Sequence, residues 1–207
     1  MSLITFLIAA IVLAVTPGPG IAYVVARTVA GGRTEGLASC LGTGIGGMLH
    51  VLAAALGLSV IVAQSAVAFN VLKYVGAAYL VYLGARMLWR KDEAITIGTL
   101  AVKSQGVRRA FTEGIAVEAL NVKTALFFLA FPPQFVAPGE PLVPQLALLG
   151  TICVVLNTLV DVAAVFASAR LLKSSTVRAA RARLMTKASG VTMLGLGAYL
   201  ALARREA

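Results

Sequence analysis

Charge is what this chain has least of. Only 13% of its 207 residues are charged, Asp and Glu together number 8, and His50 is the one histidine. Soluble domains run near 25% charged. A globule of this length could not hide a chain that is 59% hydrophobic with a mean hydropathy of +0.92, so a soluble globular protein is excluded and an integral membrane protein is expected. Cysteine is nearly missing. Cys40 and Cys153 lie in apolar stretches, with no C-x-x-C and no metal-ligand spacing. That excludes a disulfide framework or a zinc site, and both read as small buried hydrophobes. The opening M-S-L-I-T-F lacks the positive stretch of a signal peptide, so the first apolar run is expected to stay as a membrane segment. Nothing points to an enzyme, a cofactor or a resident metal.

The charge that is present is mostly basic, a net +10. It gathers between apolar runs and is not interleaved with aromatics, which argues against nucleic acid and for a bilayer. Six runs are expected to cross it, near 3–26, 37–63, 68–89, 111–137, 142–169 and 188–203. Lys and Arg crowd the first-second connection (Arg27, Arg33), the third-fourth (Arg86 to Arg109) and the fifth-sixth (Arg170 to Lys187). The positive-inside rule makes these cytoplasmic and puts both termini outside.

The stretch 111–137 is long enough to span, yet it carries Glu113, Glu118, Asn121 and Lys123 and then a Pro132-Pro133 break. A charge at mid-helix costs roughly 2.5–3.5 kcal/mol on insertion scales, so a role for these residues is expected. The first run is interrupted in the same way, by Thr16-Pro17-Gly18-Pro19-Gly20. Prolines remove donors and glycines loosen the backbone, and inside a membrane the freed groups are tolerated only against protein or a wet cavity. The second run holds a Gly42/Gly46 G-x-x-x-G pair, suited to close packing within the chain or in a homodimer. His50 reads as a hydrogen-bonded packing residue. In the third run Tyr79 and Tyr82 share a face, while Arg86 and Trp89 read as an interfacial belt; Lys73 and the tyrosines stay open. In the fifth, Asn157 and Asp161 are one helical turn apart, and an intramembrane Asp needs a partner, with Lys123 the candidate.

The expected fold is therefore an all-α membrane protein of six transmembrane helices. It divides into two inverted three-helix repeats, 1–89 and 111–207, joined by a cytoplasmic loop at 90–110, with the first helix of each half broken. Such paired, interrupted helices are the mark of a secondary transporter with its site at the repeat interface.

T-P-G-P at 16–19, G-T-G-I-G-G at 42–47, K-Y-V-G-A-A-Y-L-V-Y-L-G at 73–84 and N-V-K-T-A-L-F-F-L-A-F-P-P-Q-F at 121–135 resemble signature stretches of the LysE/RhtB family of bacterial amino-acid exporters, over essentially the whole chain. The family pattern usually has a proline where this chain has Val122. The resemblance implies a multi-pass protein of the bacterial inner membrane. It further implies export of small neutral amino acids (threonine, homoserine or branched-chain type) by antiport with protons.

A zwitterionic cargo needs a clamp at each end. Backbone N–H groups around Pro17, Gly18, Pro19 and Gly20, with Lys123 or Asn121, are expected to receive the carboxylate. Asp161 or Glu118 would receive the ammonium, with Asn157 beside them, and the same two acids are the candidates for carrying protons. The rival readings are a divalent-cation exporter using Glu113, Glu118, Asp161 and His50, a redox carrier using Cys40 and Cys153, and a non-transporting assembly subunit.

Overall fold

The protein is described by a computed structural model covering residues 3–16, 18–64, 66–89, 103–137 and 139–171, with 187, 191, 194, 195, 197, 198, 201 and 202 in addition. The described residues are helical or irregular, with no strand. The helices are α1 (Leu3–Val15), α2 (Pro19–Gln64), α3 (Ala66–Trp89), α4 (Val107–Ala119), α5 (Val122–Ala130), a 3-10 turn (Pro132–Phe135) and α6 (Leu142–Leu171).

The outward faces of these helices are apolar. Ile4, Ile8, Ile11 and Val15 of α1 are exposed at helical spacing, as are Leu41, Ile45, Leu49, Leu52 and Leu56 of α2. A stripe of that kind facing outward is suited to lipid. Pro19–Gly57 and Leu142–Ser168 are each long and apolar enough to cross a membrane. Val107–Ala119 and Val122–Phe135, bent by 50°, make a third crossing if taken as one broken span. The loop at 90–102 and most of the sixth run lie outside the described residues, although Gly197 is placed tightly against Ala77 and Val81 of α3.

Both expected interruptions are present. α1 stops at Val15, where the Thr16 hydroxyl turns back onto the Val12 carbonyl at 2.7 Å. Pro19 then occupies the first position of α2, where its missing N–H costs nothing. α4 stops at Ala119, and the Asn121 side chain caps the next helix by accepting from Lys123 N at 3.2 Å. Val122 takes the first position of α5, so the break forms without the proline usual there. The Pro132-Pro133 pair ends α5 as expected, and Phe6, Phe127, Phe131 and Phe135 stack around that end at 4.9 to 6.4 Å.

Two readings are corrected. The connection holding Arg27 and Arg33 is not a basic loop: the helix runs through it, broken only at Gly32, whose φ of 75° suits a residue without a side chain. Glu113 does not lie in the passage. It meets Arg27 at 3.5 Å, Arg109 at 2.7 Å and the Tyr23 hydroxyl at 3.3 Å. Buried Arg27 reaches also to Glu35, 3.9 Å away. Glu35 in turn accepts from the Ser104 hydroxyl and from the backbone N–H groups of Gln105 and Gly106. The Gly32 break and the start of α4 therefore sit side by side, and Arg33 lies over Phe166 near the end of α6, 5.3 Å from its ring centre. The stretch holding Arg27 and Arg33, the start of α4 with Arg108 and Arg109, and the end of α6 at Phe166 thus share one end of the described residues.

The Gly42/Gly46 pair is used within the chain. A Cβ at Gly42 would collide with the Phe111 carbonyl, one at Gly46 would lie 2.7 Å from the Ile115 carbonyl, and one at Gly114 2.9 Å from that of Ser39. These glycines bring α2 and α4 into backbone contact. Gly46→Val is expected to lower the thermal stability of the detergent-solubilised protein by roughly 1–3 kcal/mol through overpacking. Gly57→Ala, where a Cβ meets nothing within 4 Å, should leave the melting temperature unchanged in the same assay.

Candidate functional site

The two helix breaks face each other across a cavity. Leu13, Ala14, Thr16 and Gly18 line it from the first break, and Gly20 and Ile21 from the start of α2. Thr43, Gly44 and Gly47 come from further along α2, and Glu118, Asn121, Lys123, Thr124 and Phe128 from the second break. Cys153, Val154, Asn157 and Thr158 of α6 close it. Positions 43–47 and 153–158 are near the middle of their helical arms, so the cavity is at mid-depth. The volume open to the centre of a water-sized sphere is about 30 Å3, room for about two waters at roughly 10–15 Å3 each.

Close approach across the breaks depends on absent side chains. Lys123 Nζ donates to the Thr16 carbonyl at 3.2 Å, an acceptor left free because α1 has ended. A Cβ at Gly18 would stand 2.9 Å from that nitrogen, and one at Gly20 would stand 2.6 Å from Glu118 Oε2. Glu118 is buried and accepts from Thr124 Oγ1 at 2.6 Å and from Asn121 Nδ2 at 3.1 Å. His50 Nε2 donates to the Glu118 carbonyl at 2.8 Å and its ring stacks near Phe128. It thus meets the Glu118 carbonyl, which also accepts from Asn121 N at 3.0 Å, the packing role expected of it.

Among the residues singled out from sequence, Gly18, Gly20, Glu118, Asn121, Lys123 and Asn157 all line this one cavity. Pro19 is exposed and is not in the wall. Pro17 lies outside the described residues. Asp161, 1% exposed, sits one turn beyond Asn157 and behind the wall, in contact with Thr43 Oγ1 at 3.2 Å. The expected Lys123–Asp161 ion pair is not formed: among the described residues Lys123 is drawn instead to the backbone at the end of α1. Sequence reasoning took Thr16 only as part of the break and missed Thr43 and Thr124 as wall residues. A threonine on an apolar helix gives no signal by itself, although Thr124 and Thr43 each lie one helical turn or so from a residue that had been chosen.

The possible metal ligands are dispersed. Glu113 belongs to the Arg27 and Arg109 cluster and His50 is bonded to a carbonyl. Among the described residues no three His, Cys, Asp or Glu side chains gather as a metal site would require. Both cysteines are free and buried, Cys40 in a cluster with Val24 and Val165, Cys153 in the cavity wall.

Residues 11–204 match the LysE type translocator family. The chain belongs to that family. Over 200 residues it is 30% identical to a homoserine/homoserine lactone efflux protein of Salmonella typhi, covering 96% of this chain and 95% of the relative. It is 29% identical over 204 residues to an uncharacterized membrane protein of Vibrio cholerae, covering 97% of each. A leucine efflux protein of Salmonella choleraesuis is 28% identical over 144 residues, 66% of this chain and 64% of that one. No solved structure matches.

For a translocator the cavity must be reachable by water. A small, water-borne thiol reagent is therefore expected to modify Cys153 while leaving Cys40 intact, with mass spectrometry of the membrane-embedded protein as the readout. Equal labelling of the two would mean the cavity is no wetter than the apolar core.

Proposed function

We propose that this translocator exports small neutral amino acids of the threonine, homoserine or branched-chain type from the cytoplasm of a bacterium, in exchange for protons. The carrying observation is that one cavity between two broken helices holds a lysine ammonium, a carboxylate and a helix start. Gly20 and Ile21 line it from the first turn of α2, where backbone N–H groups have no intrahelical acceptor and favour an anion. The substrate carboxylate binds there and to Lys123, which leaves the Thr16 carbonyl to meet it. Glu118 receives the ammonium, with Asn121 and Asn157 flanking it. Asp161, behind the wall, carries the proton.

The architecture that serves this function is six crossings in two inverted halves, 1–89 and 111–207, rocking about the cavity in the bacterial inner membrane. Support comes from the facing breaks and from the stretch holding Arg27 and Arg33, which lies beside the start of α4 and the end of α6. A cavity with room for two waters is too small for an amino acid, so the described conformation corresponds to a closed site. The divalent-cation reading has less support, because its four ligands are dispersed and Lys123 occupies the same wall.

Overexpression is expected to raise tolerance to a toxic excess of one or more of these amino acids in a growth panel, and purified protein in vesicles should move the same ones. Lys123→Ala should weaken substrate affinity by about 10- to 100-fold, the range of a lost charged hydrogen bond, and Asp161→Asn should make export insensitive to an imposed pH gradient. Wild-type affinity in the first variant sinks the carboxylate clamp, and an unchanged response to the gradient in the second sinks the proton role.

A further inference from the structure

Asp161 is separated from the cavity by Thr43. Thr43 lines the wall, and Asp161 does not. The Thr43 hydroxyl has one proton and two oxygen atoms within reach, the Cys40 carbonyl at 3.0 Å and Asp161 Oδ2 at 3.2 Å. A hydroxyl donates once and accepts through its lone pairs. When Asp161 is ionised, the proton of Thr43 turns to the carboxylate and makes a charge-assisted bond. When Asp161 is protonated, the carboxylic acid donates to Thr43 Oγ1, and Thr43 turns its own proton to the Cys40 carbonyl. Both charge states are bonded, and they interconvert by rotation of one hydroxyl with no heavy atom displaced.

We propose that Thr43 is a positioning residue for the proton carrier, a rotating hydroxyl that holds Asp161 in both protonation states and joins it to the cavity wall. This rests on the reading of Asp161 as that carrier. The step balances: the proton that Asp161 takes up comes from water in the cavity and is later returned to water, and Thr43 ends each step with one proton of its own. The titratable groups whose charge reaches Asp161 are Glu118 from α4, Lys123 from α5 and the Cys40 thiol from α2. None of them replaces the donor and acceptor that Thr43 supplies at Oδ2. Thr43 is 2% exposed, so the hydroxyl does not exchange this role with bulk water.

The test is the pH dependence of export by the full chain in vesicles, measured for Thr43→Val, Thr43→Ser and Asp161→Asn. Thr43→Val keeps the shape and removes the hydroxyl. It is expected to displace the midpoint of the export–pH curve upward by about one unit, because the ionised acid loses a charge-assisted hydrogen bond and the protonated acid only a neutral one. Thr43→Ser should restore the wild-type curve. A wild-type curve in Thr43→Val overturns the inference, as does a Thr43→Ser curve displaced as far as that of Thr43→Val, which would mark the methyl and not the hydroxyl as what matters. If Thr43→Val does not fold, Thr43→Ala removes the same group and is read in the same way. Asp161→Asn separates the two levels. A wild-type proton response there overturns the carrier itself, whereas a lost response there beside an unmoved Thr43→Val curve overturns only the role of Thr43.

Discussion

Backbone groups freed inside an apolar bundle have to be met by something polar, and the rest of this molecule is arranged around doing that twice in one place. α1 ends in a carbonyl at Thr16, and α5 begins one residue after a capping Asn121. With no lipid partner at that depth, the first break is answered by the second: the lysine in the first turn of α5 reaches the carbonyl at the end of α1. The Glu118 carbonyl, which accepts from Asn121 N in the turn after α4, also meets His50 from α2. The charges in the apolar stretch 111–137 are thereby sorted into two groups, one that satisfies breaks and one, Glu113 with Arg27, that ties α2 to α4.

Such mutual satisfaction works only if the helices come close, and glycine sets that distance on α2. One face of α2 meets α4 through Gly42 and Gly46. Another meets α6 in antiparallel register, where a Cβ at Gly36 would lie 3.1 Å from Val165, at Gly44 3.2 Å from Thr158 and at Gly47 3.1 Å from Val154. α2 is consequently the common wall against which both α4 and α6 are placed. Its Thr43 lies between the two glycine faces, which is why one side chain can touch the cavity and Asp161 together. Cores of this density shift between discrete packings and do not deform smoothly, a property that suits rocking of one half against the other.

Much of this was legible in the chain. Thr16-Pro17-Gly18-Pro19-Gly20 and Asn121 announce breaks because proline and a capping side chain act locally. The buried Glu118, Lys123 and Asp161 announce a site because a charge is costly in lipid wherever it falls. What was not legible is pairing at a distance. Lys123 was assigned to Asp161 because both are charged, but a backbone carbonyl at a helix end carries partial negative charge without any letter in the sequence to mark it. Glu113 was grouped with Glu118, Asn121 and Lys123 because all four fall in one apolar stretch, whereas its partner Arg27 is far away in the chain. The stretch with Arg27 and Arg33 was read as a connection between two runs on its basic residues, and only the backbone distinguishes a single positive φ at Gly32 from a loop.

The charges left in the site suggest why protons and an amino acid should exclude each other on the proposed reading. Lys123 offsets one of the two acids, Glu118 or Asp161, and a second ionised carboxylate in so enclosed a place is costly unless something cationic accompanies it. A proton on Asp161 can do so. So can the ammonium of an amino acid, provided its carboxylate is cared for separately, and the start of α2 supplies N–H groups for that purpose at no cost in charge. On that reading proton and ammonium are alternative answers to the same excess of negative charge, and a site that is stable with either one and unstable with neither is what exchange requires. A neutral polar cargo without an ammonium group would satisfy the cavity's hydrogen bonds but leave that excess in place, so the proposed exchange and a zwitterionic cargo stand on the same constraint.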